Sequence, residues 1–204
     1  LASLAPLHQP HNLAAIRDLE ARRPGLPQVA CFDTAFHRGH PPEADRFAIP
    51  RALHDKGIRR YGFHGLSYQH VAEVLAERHP ALAAGRVVVA HLGAGSSLCA
   101  LAAGRSLDTT MGFTALDGLP MATRPGALDP GVLLHLLTAE GYDAAGLTDL
   151  LYNRSGLLGL SGLTADMRQL AASTDPCAAE ARAVYAWRLL REIGAMVALL
   201  GGRD

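Results

Sequence analysis

"VVVAHLGAGSSLCALAAGRSLDTT", residues 87–110, is the stretch from which the fold can be read. Three β-branched residues, Val87 to Val89, run into Gly93, Ala94, Gly95, Ser96 and Ser97. An apolar run, a second Gly-centred turn and a Ser/Thr-rich ending follow. β-Branched side chains favour strands, and glycine admits turn angles that other residues avoid. The stretch therefore predicts strands at 87–91, at 97–102 and up to residue 108, joined by tight turns. A glycine turn just past a buried strand is either an ordinary hairpin bend or a nest of backbone N–H groups for a phosphate. It matches neither familiar phosphate loop: no Gly-Lys-Ser/Thr follows, and Leu98 stands where the dinucleotide pattern needs its last glycine.

Outward from this centre, helices alternate with strands. Asn12 predicts the cap of a helix through Arg23, closed by Pro24-Gly25, and "QVACFD" (28–33) reads as a buried strand ending on a carboxylate. Residues 37–60 are rich in Pro, Gly, His and Arg and read as a long ordered loop. A helix is predicted from Ser67, with Val71, Val74 and Leu75 on one face and Pro80 beyond its end. Asp129-Pro130 opens a helix to Glu140, and Asp175-Pro176 opens a core helix over 177–200. The stretches "NRSGLLGLSG" (153–162) and "TADMR" (164–168) between them read as turn-rich. The pattern is that of an α/β protein.

Composition narrows the function. The 204 residues are 49% hydrophobic and carry no net charge, which disfavours nucleic-acid and membrane-surface partners. The three cysteines, Cys31, Cys99 and Cys177, are widely spaced, which suits a reducing cytoplasm. No apolar run has membrane length.

Four features invite chemistry. Asp33, at the end of the expected strand 28–33, faces a ligand crevice or else caps a neighbouring loop or helix with Thr34. His64 lies between Gly62 and Gly65, beside Phe63, with room for a ligand or in a structural role. Arg124, in a Thr-Arg-Pro-Gly turn, either offers a planar fork to an anion or is a solvated loop charge. The pairs His8/His11 and His37/His40 have metal-pair spacing, but no further ligand pattern completes either, and no metal ligand is assigned.

Taken in order, "LAPLHQPHNL", "FDTAFH", "IRRYGFHGLS", "HLGAGSSLCAL", "GRSLDTTMGFTALDGLPMATRPGALDP" and "NRSGLLGLSG…ADMR" resemble the acetate kinase family along nearly the whole chain. The resemblance implies the actin-like ATPase (ribonuclease H-like) two-lobed kinase fold, incomplete here and mostly its second lobe. Residues 1–33 would end the first lobe and 34–204 form most of the second. It implies magnesium-dependent, reversible phosphoryl transfer from ATP to acetate or another short-chain carboxylate. Asp33, His64 and Arg124 match the family's catalytic residues. His91, Leu92, Gly93, Ala94 and Gly95 match one ATP-binding stretch, and Asp166, Met167 and Arg168 another. Phe63 matches a wall of the acetate pocket. A cytoplasmic homodimer is implied for the complete protein.

The sequence also departs from the family's commonest pattern. Ala94 replaces a frequent asparagine, Leu66 a threonine, and Pro125 and Ala127 replace polar residues after Arg124. Ala115 stands where a pocket-lining proline is usual, which predicts a wider acid pocket and acceptance of propionate. The family's Ser-rich phosphate loop, a further arginine, the adenosine loop and a magnesium-binding glutamate are expected outside this chain. Little or no turnover is expected of these residues alone. Propionate or butyrate kinases of the same family, and a non-catalytic nucleotide-binding remnant, are the competing readings.

Overall fold

A three-stranded antiparallel sheet forms where the central stretch predicts it. In the computed structural model, which describes residues 9–202, Arg86–Leu92 (β1), Ser96–Ala102 (β2) and Arg105–Thr109 (β3) lie in the order β1-β2-β3. In register, Val89 faces Cys99 and His91 faces Ser97. Before the sheet come Gln9–Arg22 (α1), Pro42–Asp45 (α2), Arg51–Asp55 (α3), Gly65–Arg78 (α4) and Pro80–Ala83 (α5). After it come Pro130–Thr138 (α6), Ala144–Asn153 (α7), Gly156–Ser161 (α8), Met167–Ala172 (α9) and Pro176–Leu199 (α10).

Strand β2 is buried on both sides, and its period-two alternation divides the core. Leu98 and Ala100 pack with Val88, Leu119, Ile193 and Met196, which seats α10 on one face of the sheet. Cys99 and Leu101 pack with Phe36, Tyr68, Ala72, Val87 and Val89, which seats α4 on the other. A third cluster of Leu157, Leu170, Ala178 and Ala181 joins α8 and α9 to the first half of α10. Asp129, Asp143, Asp166 and Asp175 cap α6, α7, α9 and α10, each accepting a backbone N–H of the first turn.

Several elements differ from expectation. The described part of helix α1 runs from Gln9 to Arg22, so Asn12 lies inside the helix and not at its cap. Residues 28–33 form no strand. They run without secondary structure along the surface, Val29 is 87% exposed, and none of the three strands pairs with them. Sequence shows a segment's preference for strand, but a strand also needs a neighbour's ladder. The region 37–60 contains the short helices α2 and α3 within its irregular path. Turn-rich 153–168 holds α8 and the start of α9, and α7 precedes them. Helix α10 has nearly its predicted extent, but only one side is core: Trp187 and Leu190 are largely exposed. His8 and the start of "LAPLHQPHNL" lie outside the described residues.

Candidate functional site

The β1–β2 turn is the floor of the site. Gly93 N–H donates to Gly95 O at 2.9 Å, and the Ser96 hydroxyl donates to Gly93 O at 3.2 Å. The carbonyl of Ala94 accepts from Ala122 N–H at 3.1 Å, which ties the turn to the loop carrying Arg124. A Cβ on Gly95 would lie 2.7 Å from Arg124 Nη2 and 3.1 Å from His64 Nε2. Two cationic or donor side chains thus converge on one point over the turn, and only glycine leaves that point open. Leu92, Gly93 and Ala94 are exposed there.

Arg124 is buried, not a solvated loop charge, and burial pushes its pKa down from the ordinary arginine value. Nη1 donates to Ala115 O at 2.7 Å, which leaves Nη2 at the turn. Pro125 and Ala127 are therefore no loss to the guanidinium, whose anchor is a backbone carbonyl. The loop itself is held by α8: Ser155, Leu157 and Leu158 N–H donate to Thr123, Met121 and Ala122 carbonyls at 2.8–3.0 Å. Gly156, at φ 61°, makes that approach possible, since a Cβ would sit 2.2 Å from Met121 O. Gly156 and Thr123 were not singled out from sequence, and only the glycine of "NRSG" gave a signal.

His64 adopts φ 58°, a left-handed conformation uncommon outside glycine. Asp33 fixes it: Oδ2 accepts from His64 N–H at 2.6 Å and Oδ1 from Leu66 N–H at 3.3 Å, while Asp33 O accepts from Gly65 N–H. Asp33 thus ties down the start of α4 through both carboxylate oxygens. The ring of His64 stacks on His91 with centroids 4.0 Å apart, and its Nδ1 lies 2.8 Å from Ser97 Oγ. His91 Nδ1 in turn lies 3.0 Å from Ser67 Oγ. The carbonyl of half-buried Phe63 accepts from His37 Nε2 at 3.0 Å. His37 and His40, the pair with metal-like spacing, converge on Ser106 Oγ, at 2.8 and 2.7 Å.

Asp166, Met167 and Arg168 form a separate unit at the head of α9. Asp166 caps the helix, and the Arg168 side chain bonds its carboxylate at 2.7 Å, holding the carboxyl down to about 2. Met167 packs toward Leu157 and Leu170. Among the described residues no group of three His, Cys, Asp or Glu side chains is placed to hold a metal. Each oxygen of Asp33 accepts one backbone N–H, and each keeps a further lone pair.

The whole chain, residues 1–204, matches the acetokinase family model. It is 57% identical to an acetate kinase of Rhodopseudomonas palustris over 202 residues, covering 98% of this chain and 51% of that protein. The crystal structure of Porphyromonas gingivalis acetate kinase superimposes with a TM-score of 0.89 at 40% identity, over 98% of this chain and 51% of that one. A propionate kinase from Francisella tularensis superimposes with a TM-score of 0.93 at 39% identity, over 100% and 53%. The chain spans about half the length of the curated relatives it matches. Its α/β architecture fits an incomplete actin-like kinase fold. With a buried arginine and a stacked histidine meeting over a glycine turn, and these likenesses along its full length, the chain belongs to the acetokinase family.

Proposed function

We propose that this chain, completed to the length of its relatives, transfers the γ-phosphoryl group of ATP reversibly to acetate, giving acetyl phosphate and ADP. The observation that carries the reading is the convergence of Arg124 Nη2 and His64 Nε2 on the open space over Gly95. Phosphoryl transfer asks the protein mainly for positioning and for donors facing the three equatorial oxygens. Donors fixed before reaction, in a site where their charge is weakly screened, stabilise the transition state most. Arg124 and His64 take that role here.

The acceptor needs no base, because a carboxylic acid with a pKa of roughly 4–5 is already ionised at neutral pH. The carboxylate attacks phosphorus, and the bond to the bridging oxygen of ADP breaks. Asp33 agrees with this chemistry: its oxygens orient the His64–Leu66 backbone, and it is a positioning residue. His91 to Gly95 would line the ATP phosphates, Asp166 to Arg168 the rest of the nucleotide, and Phe63 and Ala115 the acid pocket. Magnesium is expected with the nucleotide, and no step is assigned through it.

The other half of the protein would supply the remaining phosphate and adenosine contacts, with residues 1–33 closing its first lobe and 34–204 forming most of the second. A homodimer is part of the reading, supported by Trp187 and Leu190 exposed on α10. A cytoplasmic location is supported by the absence of disulfides among Cys31, Cys99 and Cys177. Among the described residues no helix is long and apolar enough to cross a membrane.

The test is ADP release by the full-length protein with magnesium, ATP and a series of acids. Release that depends on acetate, with appreciable turnover of propionate and little of butyrate, is expected. ADP release independent of any carboxylate would overturn the reading in favour of a plain ATPase.

A further inference from the structure

His64 is useful to a phosphoryl oxygen only if Nε2 carries a proton. An imidazole neutral with its proton on Nδ1 would present a lone pair to that oxygen. Which nitrogen holds the proton is set by the bond the other one makes. Here the other nitrogen, Nδ1, faces Ser97 Oγ at 2.8 Å. Ser97 is fully buried, and its hydroxyl also meets the phenol of Tyr68, itself fully buried on α4.

Hydrogen counting settles the direction of this chain. The hydroxyl of Tyr68 is fully buried, and a buried O–H left without an acceptor is costly, so its proton is donated within the core. Among the described residues its acceptor is Ser97 Oγ. Ser97 then directs its single proton to its other partner, His64 Nδ1. Nδ1 becomes an acceptor, and the ring proton resides on Nε2, the atom 3.1 Å from the open point over Gly95. Stacking on His91 holds the ring plane in this orientation.

We propose that Tyr68 and Ser97 are positioning residues for phosphoryl transfer: their hydroxyls hold His64 as the Nε2–H tautomer, so that it meets the transferring group as a donor beside Arg124. This inference rests on the phosphotransferase reading above. It gives work to two hydroxyls that neither cap a helix nor line the turn.

The experiment uses the full-length protein with selectively ¹⁵N-labelled histidine, the His64 signals being assigned by their loss in His64→Gln. Long-range ¹H–¹⁵N correlation distinguishes a protonated Nε2 from a protonated Nδ1. The wild type should show Nε2–H. Tyr68→Phe and Ser97→Ala should each give averaged tautomers, with kcat for acetyl phosphate lowered about tenfold to a hundredfold, as for other groups that orient a catalytic imidazole. KM for ATP should stay near its wild-type value. Ser67→Ala, which removes the partner of His91, should move the His91 signals and leave the His64 tautomer unchanged. If Ser97→Ala fails to fold, Tyr68→Phe, which keeps the ring, carries the test. Nδ1–H in the wild type, or an unmoved tautomer in Tyr68→Phe, overturns the proposal. The expected tautomers in a protein that makes no acetyl phosphate would instead overturn the functional reading and leave the hydroxyl chain standing.

Discussion

At the scale of single residues, the site is built from one missing Cβ and two nitrogens. Gly95→Ala would put a methyl group 2.7 Å from Arg124 Nη2, too close for both to keep their places. The full-length variant should fold and lose acetyl phosphate formation, seen as a fall in kcat at unchanged melting temperature. Arg124→Ala should lower kcat by about 10²–10³, the usual effect of removing one transition-state donor. Arg124→Lys should recover little, because lysine cannot bond Ala115 O and reach the turn with two arms at once. His64, Arg124 and Gly95 stood out in the sequence through motifs resembling the acetate kinase family, while the residues alone left structural readings of each open. The work of Asp33 was not decidable, because its partners, His64 and Leu66, are 31 and 33 residues away. Tyr68 and Ser97 read as ordinary helix and strand residues, and nothing local announces that their hydroxyls meet.

At the scale of elements, local chemistry and distant packing divided the legibility of the fold. The hairpin and the Asp-Pro helix starts were readable, since each is set by neighbours in sequence. The Asp175 carboxylate accepts Cys177 N–H at 2.7 Å, and Asp175→Ala should lower unfolding stability by about 1 kcal/mol in urea titration. The helical content should be nearly unchanged. Residues 28–33 were misread, because their apolar pattern states a preference that only a partner strand can satisfy. The packing of the Phe63–His64 segment was hidden as well. Buried His37 donates to Phe63 O, and desolvation lowers its pKa to about 4, from an ordinary 6.5. Between pH 6.5 and 4 the unfolded chain binds more protons than the folded one, so stability falls as pH falls through that window. The loss from this group amounts to about 3 kcal/mol at most. His40 is shifted the same way by burial and adds to it. Urea midpoints measured from pH 7 down to pH 4 should therefore drop, and His37→Gln should flatten that slope. An equal slope in the variant would assign the effect to other groups.

At the scale of the molecule, the chain carries a well-packed sheet and helix layer beside surfaces that stay apolar. Val29 and Phe32 at one end of the described chain, and Trp187 and Leu190 on α10, are more than half exposed. Large exposed apolar surface marks a place that another element covers. The chain also spans about half the length of its curated relatives. On the proposed function, this segment provides Arg124, His64 and the glycine turn, and the rest of the protein provides the other phosphate and nucleotide contacts. The most direct measurement traps acetyl phosphate with hydroxylamine after incubation with ATP, magnesium and acetate. It compares this chain, the full-length protein, and the full-length protein carrying Arg124→Ala. The account predicts product from the full-length protein alone, with Arg124→Ala near background. Acetyl phosphate from the 204-residue chain at the full-length rate, or an Arg124→Ala protein as active as wild type, would contradict it.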